Sequence, residues 1–188
     1  MKISIASDHA GFELKAFLVE QLREKGYDIS DRGAHELNPD DDYPFYISQV
    51  AQDVSVYEEA RISGNHPTHT VHGHPYVAQG RDVLGIVIGG SGQGEAMVAN
   101  KFPHIRAATV YGGARSGGSL QLLEEITRLS RLHNDSNILS LGARFMTSEE
   151  ALSVVLLWLK TEFSDEARHE RRIDEIDILE HGIDEHII

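Results

Sequence analysis

Cysteine is absent from all 188 residues. Disulfides, thiolate nucleophiles and cysteine-bound zinc are excluded with it. Positive charge is scarce as well: 17 lysines and arginines face 30 aspartates and glutamates, a formal charge of -13. So acidic a chain is a poor partner for nucleic acid, although a local cluster such as Arg168 to Arg172 can still hold one phosphate group. Long apolar runs are missing too. The longest, Val154 to Leu159, falls far short of the ~20 residues of a membrane span, and the apolar part of the opening MKISIASDHAGF is too short for a secretory leader. A cytoplasmic protein without a membrane partner is the expectation. Two common nucleotide loops are also lacking. No Lys-Ser or Lys-Thr pair follows the glycines of residues 89–94, and Gly90, Gly92 and Gly94 give G-x-G-x-G rather than G-x-G-x-x-G.

What is present is organised around Val83 to Lys101, VLGIVIGGSGQGEAMVANK. Val83, Leu84, Ile86, Val87 and Ile88 make a continuous β-branched run, as expected of a strand buried on both faces of a parallel sheet. Gly89, Gly90, Gly92 and Gly94 then remove side chains where the backbone turns into a helix from about Glu95 to Asn100. Outward-facing amides in such a nest suit a phosphate or a transient oxyanion, and Ser91 adds a hydroxyl. Glu95 has two readings. It complements the helix dipole, or it is a general base. An anion site has no use for a carboxylate on its rim unless that carboxylate moves protons, which favours the base.

Around this stretch, strands alternate with helices. Ile3 and Ile5 open a first strand that ends at Asp8 and His9, and Phe12, Leu14, Phe17, Leu18 and Leu22 give a helix stopped at Gly26. Tyr27–Gly33, Arg106–Tyr111 and Asn137–Leu141 read as further strands. The pattern predicts a single α/β domain over residues 1–188, three layers deep, with a mainly parallel, Rossmann-like sheet of five strands. Asp8 and His9 then lie beyond a strand's carboxyl end, where such sheets bind ligands, although Asp8 is equally a helix N-cap. Pro44 suits a helix start. In NPDDDYP the adjacent Asp40, Asp41 and Asp42 invite a metal, but neighbouring loop carboxylates are usually solvated. His133 is either a helix C-cap or a functional group. Arg168 and Arg172, four apart, share a helical face and either clamp a phosphate or pair with nearby acids at the surface. His66, His69, His72 and His74 crowd a Gly- and Pro-punctuated segment; they lack a helical ligand frame, so a surface excursion or lid is preferred to a metal site.

Six stretches, taken together and in order, resemble one family. SDHAGFELK from Ser7, DYP from Asp42, GGSGQGEAMVANK from Gly89, HNDSN from His133, LGAR from Leu141 and RHERRID from Arg168 are similar to the ribose-5-phosphate isomerase B family, which includes galactose-6-phosphate isomerases. They span nearly the whole chain, interrupted by apparent insertions near 60–81 and 113–122. The resemblance implies an aldose–ketose isomerase of sugar phosphates, with ribose 5-phosphate the default substrate and another tetrose or hexose phosphate the alternative. It implies no cofactor or metal, and a homodimer whose sites draw on both subunits. Carried over by position, Glu95 is the base, Ser91 and Gly90, Gly92 and Gly94 hold the developing oxyanion, and His133 opens the sugar ring with Asp8 as a possible partner. His9, Tyr43 and Asn134 contact substrate, while Arg144, Arg168 and Arg172 bind its phosphate. Many family members use a cysteine at the position of Gly89. This chain resembles the subgroup with glycine there and glutamate at position 95. Phe45 stands where members often have histidine. A non-catalytic sugar-phosphate sensor and a histidine-loop metal protein are the rival readings; the first has no need of Glu95 and the second no need of the glycine loop.

Overall fold

In a computed structural model, residues 1–63, 70–71, 74–75, 82–113 and 117–180 are described. Strand β1 (Lys2–Ser7) leads through a short turn to α1 (Phe12–Glu24) and β2 (Asp28–Asp31). After α2 (Tyr43–Ile62) come two short strands, β3 (Thr70–Val71) and β4 (His74–Pro75), then β5 (Val83–Gly89) and α3 (Gln93–Ala99). The remainder is β6 (Ala107–Val110), α4 (Leu120–Leu132), β7 (Ile138–Gly142), α5 (Ser148–Lys160) and α6 (Ala167–Glu180). Five strands form one sheet in the order β2-β1-β5-β7-β6. Every pairing in it is parallel, as the expected mainly parallel, Rossmann-like sheet of five strands requires. The expected second strand, Tyr27–Gly33, is shorter, and the helix after the glycine loop starts two residues earlier than Glu95.

Alternation along the strands divides the core between two faces. Ile3, Ile5, Leu84, Ile86, Ile88, Leu139 and Leu141 pack against Leu18 and Leu22 of α1 and Val154, Val155 and Trp158 of α5. On the other face, Ala6, Val87 and Ile138 meet Ile47, Val50, Ala51 and Val54 of α2 and Ala99 of α3. This is the three-layer arrangement that near-continuous apolar strands require, since each strand must be covered on both sides. Helix α5 is started by a capping box, in which the Thr147 hydroxyl accepts from the Glu150 amide while the Glu150 carboxylate accepts from the Thr147 amide.

The order of the strands decides where a ligand can sit. From β1 the chain winds outward to β2, then returns through α2 to β5 on the opposite side of β1, so the direction of winding reverses between β1 and β5. Crevices outside the carboxyl ends of strands form at such a reversal. Here those ends carry Asp8 and the glycine loop.

His66, His69 and His72 lie outside the described residues, as do residues 114–116 of the second expected insertion; His74 opens β4, and its side chain is not among those described. Leu139 is fully buried on β7, between β5 and β6. Leu139→Ala should therefore lower the unfolding free energy by about 2–5 kcal/mol, measured by urea titration.

Candidate active site

Gly92 starts α3 at φ 75, a left-handed conformation that favours glycine. Its carbonyl accepts from the Ser140 hydroxyl at 2.6 Å, tying the loop to β7. The turn swings Glu95 back under the loop, and its side chain is buried, with the residue 4% exposed. A β-carbon built on Gly89 would lie 1.8 Å from Glu95 Oε1. The carboxylate fills the space that any side chain at position 89 would need. Burial pushes the Glu95 carboxyl above its ordinary range and the negative charge of Asp8 adds to this, while backbone hydrogen bonds from Glu95 and Gly92 act in the opposite direction.

Several of the expected residues gather here. Asp8 is 6% exposed and accepts from the amides of Ala10 and Gly11 at 3.0 and 3.2 Å, so the cap reading of Asp8 describes a real bond. The Tyr43 hydroxyl is 2.8 Å from where a Gly94 β-carbon would sit, and the Arg144 guanidinium carbon is 3.0 Å from the equivalent point on Gly90. The Arg144 amide also donates to the Gly90 carbonyl at 3.2 Å. Ser91 Oγ accepts from the Gln93 amide at 3.4 Å. Position Phe45, at 68% exposure, packs edge-on to Tyr46 at the surface.

Asp41 is the residue that composition alone conceals. Asp40 and Asp42 are exposed, as loop carboxylates usually are, but the Asp41 side chain is 3% exposed, and its Oδ1 accepts from both the amide and Nδ1 of His9. Ligand atoms of Asp8, His9 and Asp41 lie within 4.8 Å of one another, a donor set of the kind that a divalent cation uses.

The other expected residues are elsewhere. His133 is the C-cap of α4, five residues before β7, and Asn134 follows it. Their loop is anchored by Arg131, which donates to the Ser136 and Thr161 carbonyls and lies over the Trp158 ring. The His133 ring stacks on buried His169, the centroids 4.4 Å apart. Desolvation, followed by the positive field of His133, holds the His169 ring below its ordinary pKa. Arg168 and Arg172 share α6 with His169, and Arg168 pairs with Glu166 at 2.8 Å. These groups lie at the amino-terminal edge of β7, whereas Glu95 lies beyond the carboxyl edge of the sheet. Five residues of strand put about 16 Å between the two edges. Within one chain, His133, Asn134, Arg168 and Arg172 do not join Glu95.

A buried carboxylate beside a glycine turn, with a hydroxyl and a guanidinium at hand, is equipped to take a proton from carbon and stabilise the oxyanion that results. The profile of the Ribose/Galactose Isomerase family matches residues 3–64 and 56–176. The chain belongs to this family. Ribose-5-phosphate isomerase B of Mycolicibacterium paratuberculosis is 35% identical over 174 residues, covering 93% of this chain and 88% of that protein. The Escherichia coli protein of the same name is 34% identical, covering 95% of this chain and 96% of that one. Among solved structures, ribose-5-phosphate isomerase B of Mycoplasma genitalium with bound ribulose 5-phosphate superposes with a TM-score of 0.73 at 31% identity, covering 97% of both chains. Membership in the Ribose/Galactose Isomerase family thus extends across the whole sheet, including the Asp8 and Gly89 ends of β1 and β5.

The raised Glu95 pKa has a consequence for stability. A carboxyl whose folded pKa exceeds its unfolded value binds its proton more tightly when folded, so its contribution is fully present below the ordinary value and is lost as pH rises through the folded one. Glu95→Gln should therefore be more stable than wild type at neutral pH. Thermal unfolding across pH should show the difference shrinking as pH falls through the raised folded value toward 4.5, the ordinary value, and closed below it.

Proposed function

We propose that the chain is a cofactor-independent aldose–ketose isomerase that interconverts ribose 5-phosphate and ribulose 5-phosphate, with residues 1–188 acting as one catalytic domain. The observation that carries this reading is the Glu95 carboxylate lodged in the volume vacated by Gly89, at the mouth of an amide-rich loop. Close relatives named ribose-5-phosphate isomerase B, one of them holding ribulose 5-phosphate, support the choice of substrate.

In the proposed sequence, a histidine first protonates the ring oxygen of the furanose while Asp8 takes the proton from the anomeric hydroxyl, giving the open aldehyde. Glu95 then removes the proton from C2. The C2–H electron pair becomes a C1–C2 double bond, and the carbonyl pair moves to O1, forming a cis-enediolate. Ser91 and the amides of Gly90 and Gly94 stabilise the oxyanion, at ~3–4 kcal/mol per well-placed donor, while the Gly92 amide holds the Glu95 carboxylate. A proton passes from the O2 hydroxyl to O1, which moves the negative charge to O2, and Glu95 then returns its proton to C1 as C2 becomes the carbonyl. Burial suits Glu95 to this exchange, because a base with a raised pKa holds the proton firmly enough to carry it between the two carbons.

His133 of the same chain lies at the far edge of the sheet, so the ring-opening histidine and the arginines of α6 come from a second copy. Exposed apolar side chains support such pairing: Met97 on α3, Tyr111 after β6 and Leu122 and Ile126 on α4 leave an uncovered surface near the β6 edge. In the assembled homodimer, Asn134, Arg168 and Arg172 of one chain face His9, Tyr43 and Arg144 of the other. The substrate's phosphate end is held by arginine, and its carbonyl end by the glycine loop.

Proton exchange in deuterated water tests the reading directly. Among four-, five- and six-carbon aldose phosphates, ribose 5-phosphate should exchange its α-proton fastest. Glu95→Gln should cut kcat by about 10²–10⁴-fold with KM close to wild type. Turnover near the wild-type rate in that variant would remove Glu95 from the mechanism.

A further inference from the structure

Asp41 differs from its neighbours in the acidic turn because its carboxylate is buried and takes both of its hydrogen bonds from a single residue. Oδ1 receives the His9 amide at 3.1 Å and His9 Nδ1 at 2.7 Å. Bonds to both the backbone and the ring of one residue fix its position and the rotation of its side chain together. A carboxylate only accepts, so Nδ1 must carry a proton. The ring edge bearing Nε2 is turned away from Asp41, on a side chain 34% exposed. Asp41 Oδ2 has no hydrogen-bond partner among the described residues. A buried charge with an unfilled acceptor is tolerated when a positive charge sits beside it, and His9 is the group in contact.

We infer that Asp41 is a positioning residue, holding His9 as an Nδ1-bound imidazolium so that its Nε2–H is offered to an anionic oxygen of the sugar phosphate. The inference rests on the proposed isomerase reading for the identity of the anion, but the dyad itself does not.

Charges from three elements act on the ring. The hydrogen bond to Asp41, from the turn before α2, is the largest influence and favours the charged form; loss of hydration opposes it. Asp8, in the loop after β1, also favours the charged form, and Arg144, in the turn after β7, opposes it. The balance leaves His9 charged to higher pH than an ordinary histidine. Binding that depends on this charge is present at low pH and is lost as pH rises through the His9 pKa. Removing the Asp41 charge moves that loss to lower pH.

The same three side chains suit a divalent cation, and the two arrangements exclude each other. A metal on Nδ1 requires the proton to leave.

Wild-type protein provides the first measurement. Nitrogen shifts of the His9 ring, assigned by comparison with His9→Gln, should show Nδ1 protonated throughout and Nε2 titrating above a free imidazole. In Asp41→Asn the titration should move to lower pH. KM for ribose 5-phosphate at mildly alkaline pH should rise about tenfold, the loss of one charge-assisted contact, with kcat little changed and the KM difference closing as pH falls. A His9 titration at or below the ordinary value in wild type overturns the inference, as does an unchanged titration in Asp41→Asn. So does an equal loss at every pH. Stoichiometric zinc bound at neutral pH and released in Asp41→Asn would also overturn it, by making Nδ1 a ligand. If wild type turns over no sugar phosphate, the isomerase reading fails and the ring titration still decides the role of Asp41.

Discussion

Parallel pairing of β1 with β5 is the constraint on which the rest of this molecule depends. The register sets Ser7 opposite Ile88, so the two strands end together and deliver Asp8 and Gly89 to the same rim. Neither loop forms a site alone. The loop after β1 supplies a carboxylate and an imidazole, and the loop after β5 supplies amides and a second, buried carboxylate. Side-chain alternation holds the strands in register, because a slip of one residue would turn Ile3, Ile5, Ile86 and Ile88 from the α1 and α5 face toward α2.

That rim concentrates charge of both signs in an acidic chain. Asp8 lies near both Asp41 and Glu95, and His9 and Arg144 offset these charges unequally. Asp41 has a direct partner in His9; Glu95 has backbone bonds and a nearby like charge. Two carboxylates in one crevice therefore sit in opposite electrical settings, one compensated by an imidazole and the other biased toward holding a proton. Such divergence is the usual way that a site separates binding from proton transfer.

The centre of the sheet was legible because buried parallel strands have a plain signature, the apolar runs of β1, β5 and β7, whereas β2, with Ile29 as its one apolar residue, showed only by its place after the helix stop at Gly26. Glu95 stood out because a carboxylate is out of place beside an anion nest. Other features were hidden for identifiable reasons. Asp41 cannot be told from Asp40 and Asp42 by composition, since only the path of the chain puts one of the three against His9. The His133–His169 stack joins residues 36 positions apart in sequence, on α6 and at the end of α4, with no periodicity to link them. The separation of the expected site residues into two groups follows from strand direction, which motif order does not express. Glycine at 89 was legible as a turn residue, whereas its role as the cavity for a carboxylate is a property of three dimensions.

The overlap between the Glu95 carboxylate and any β-carbon at position 89 also limits how this site can change over generations. A side chain gained at 89 while Glu95 remains displaces the buried carboxylate. A side chain lost at 95 while Gly89 remains leaves an empty crevice. Either single step passes through a damaged protein, so a side chain at 89 and a carboxylate at 95 are alternatives separated by a valley rather than a slope, and lineages on either side of it should keep the pair of residues together.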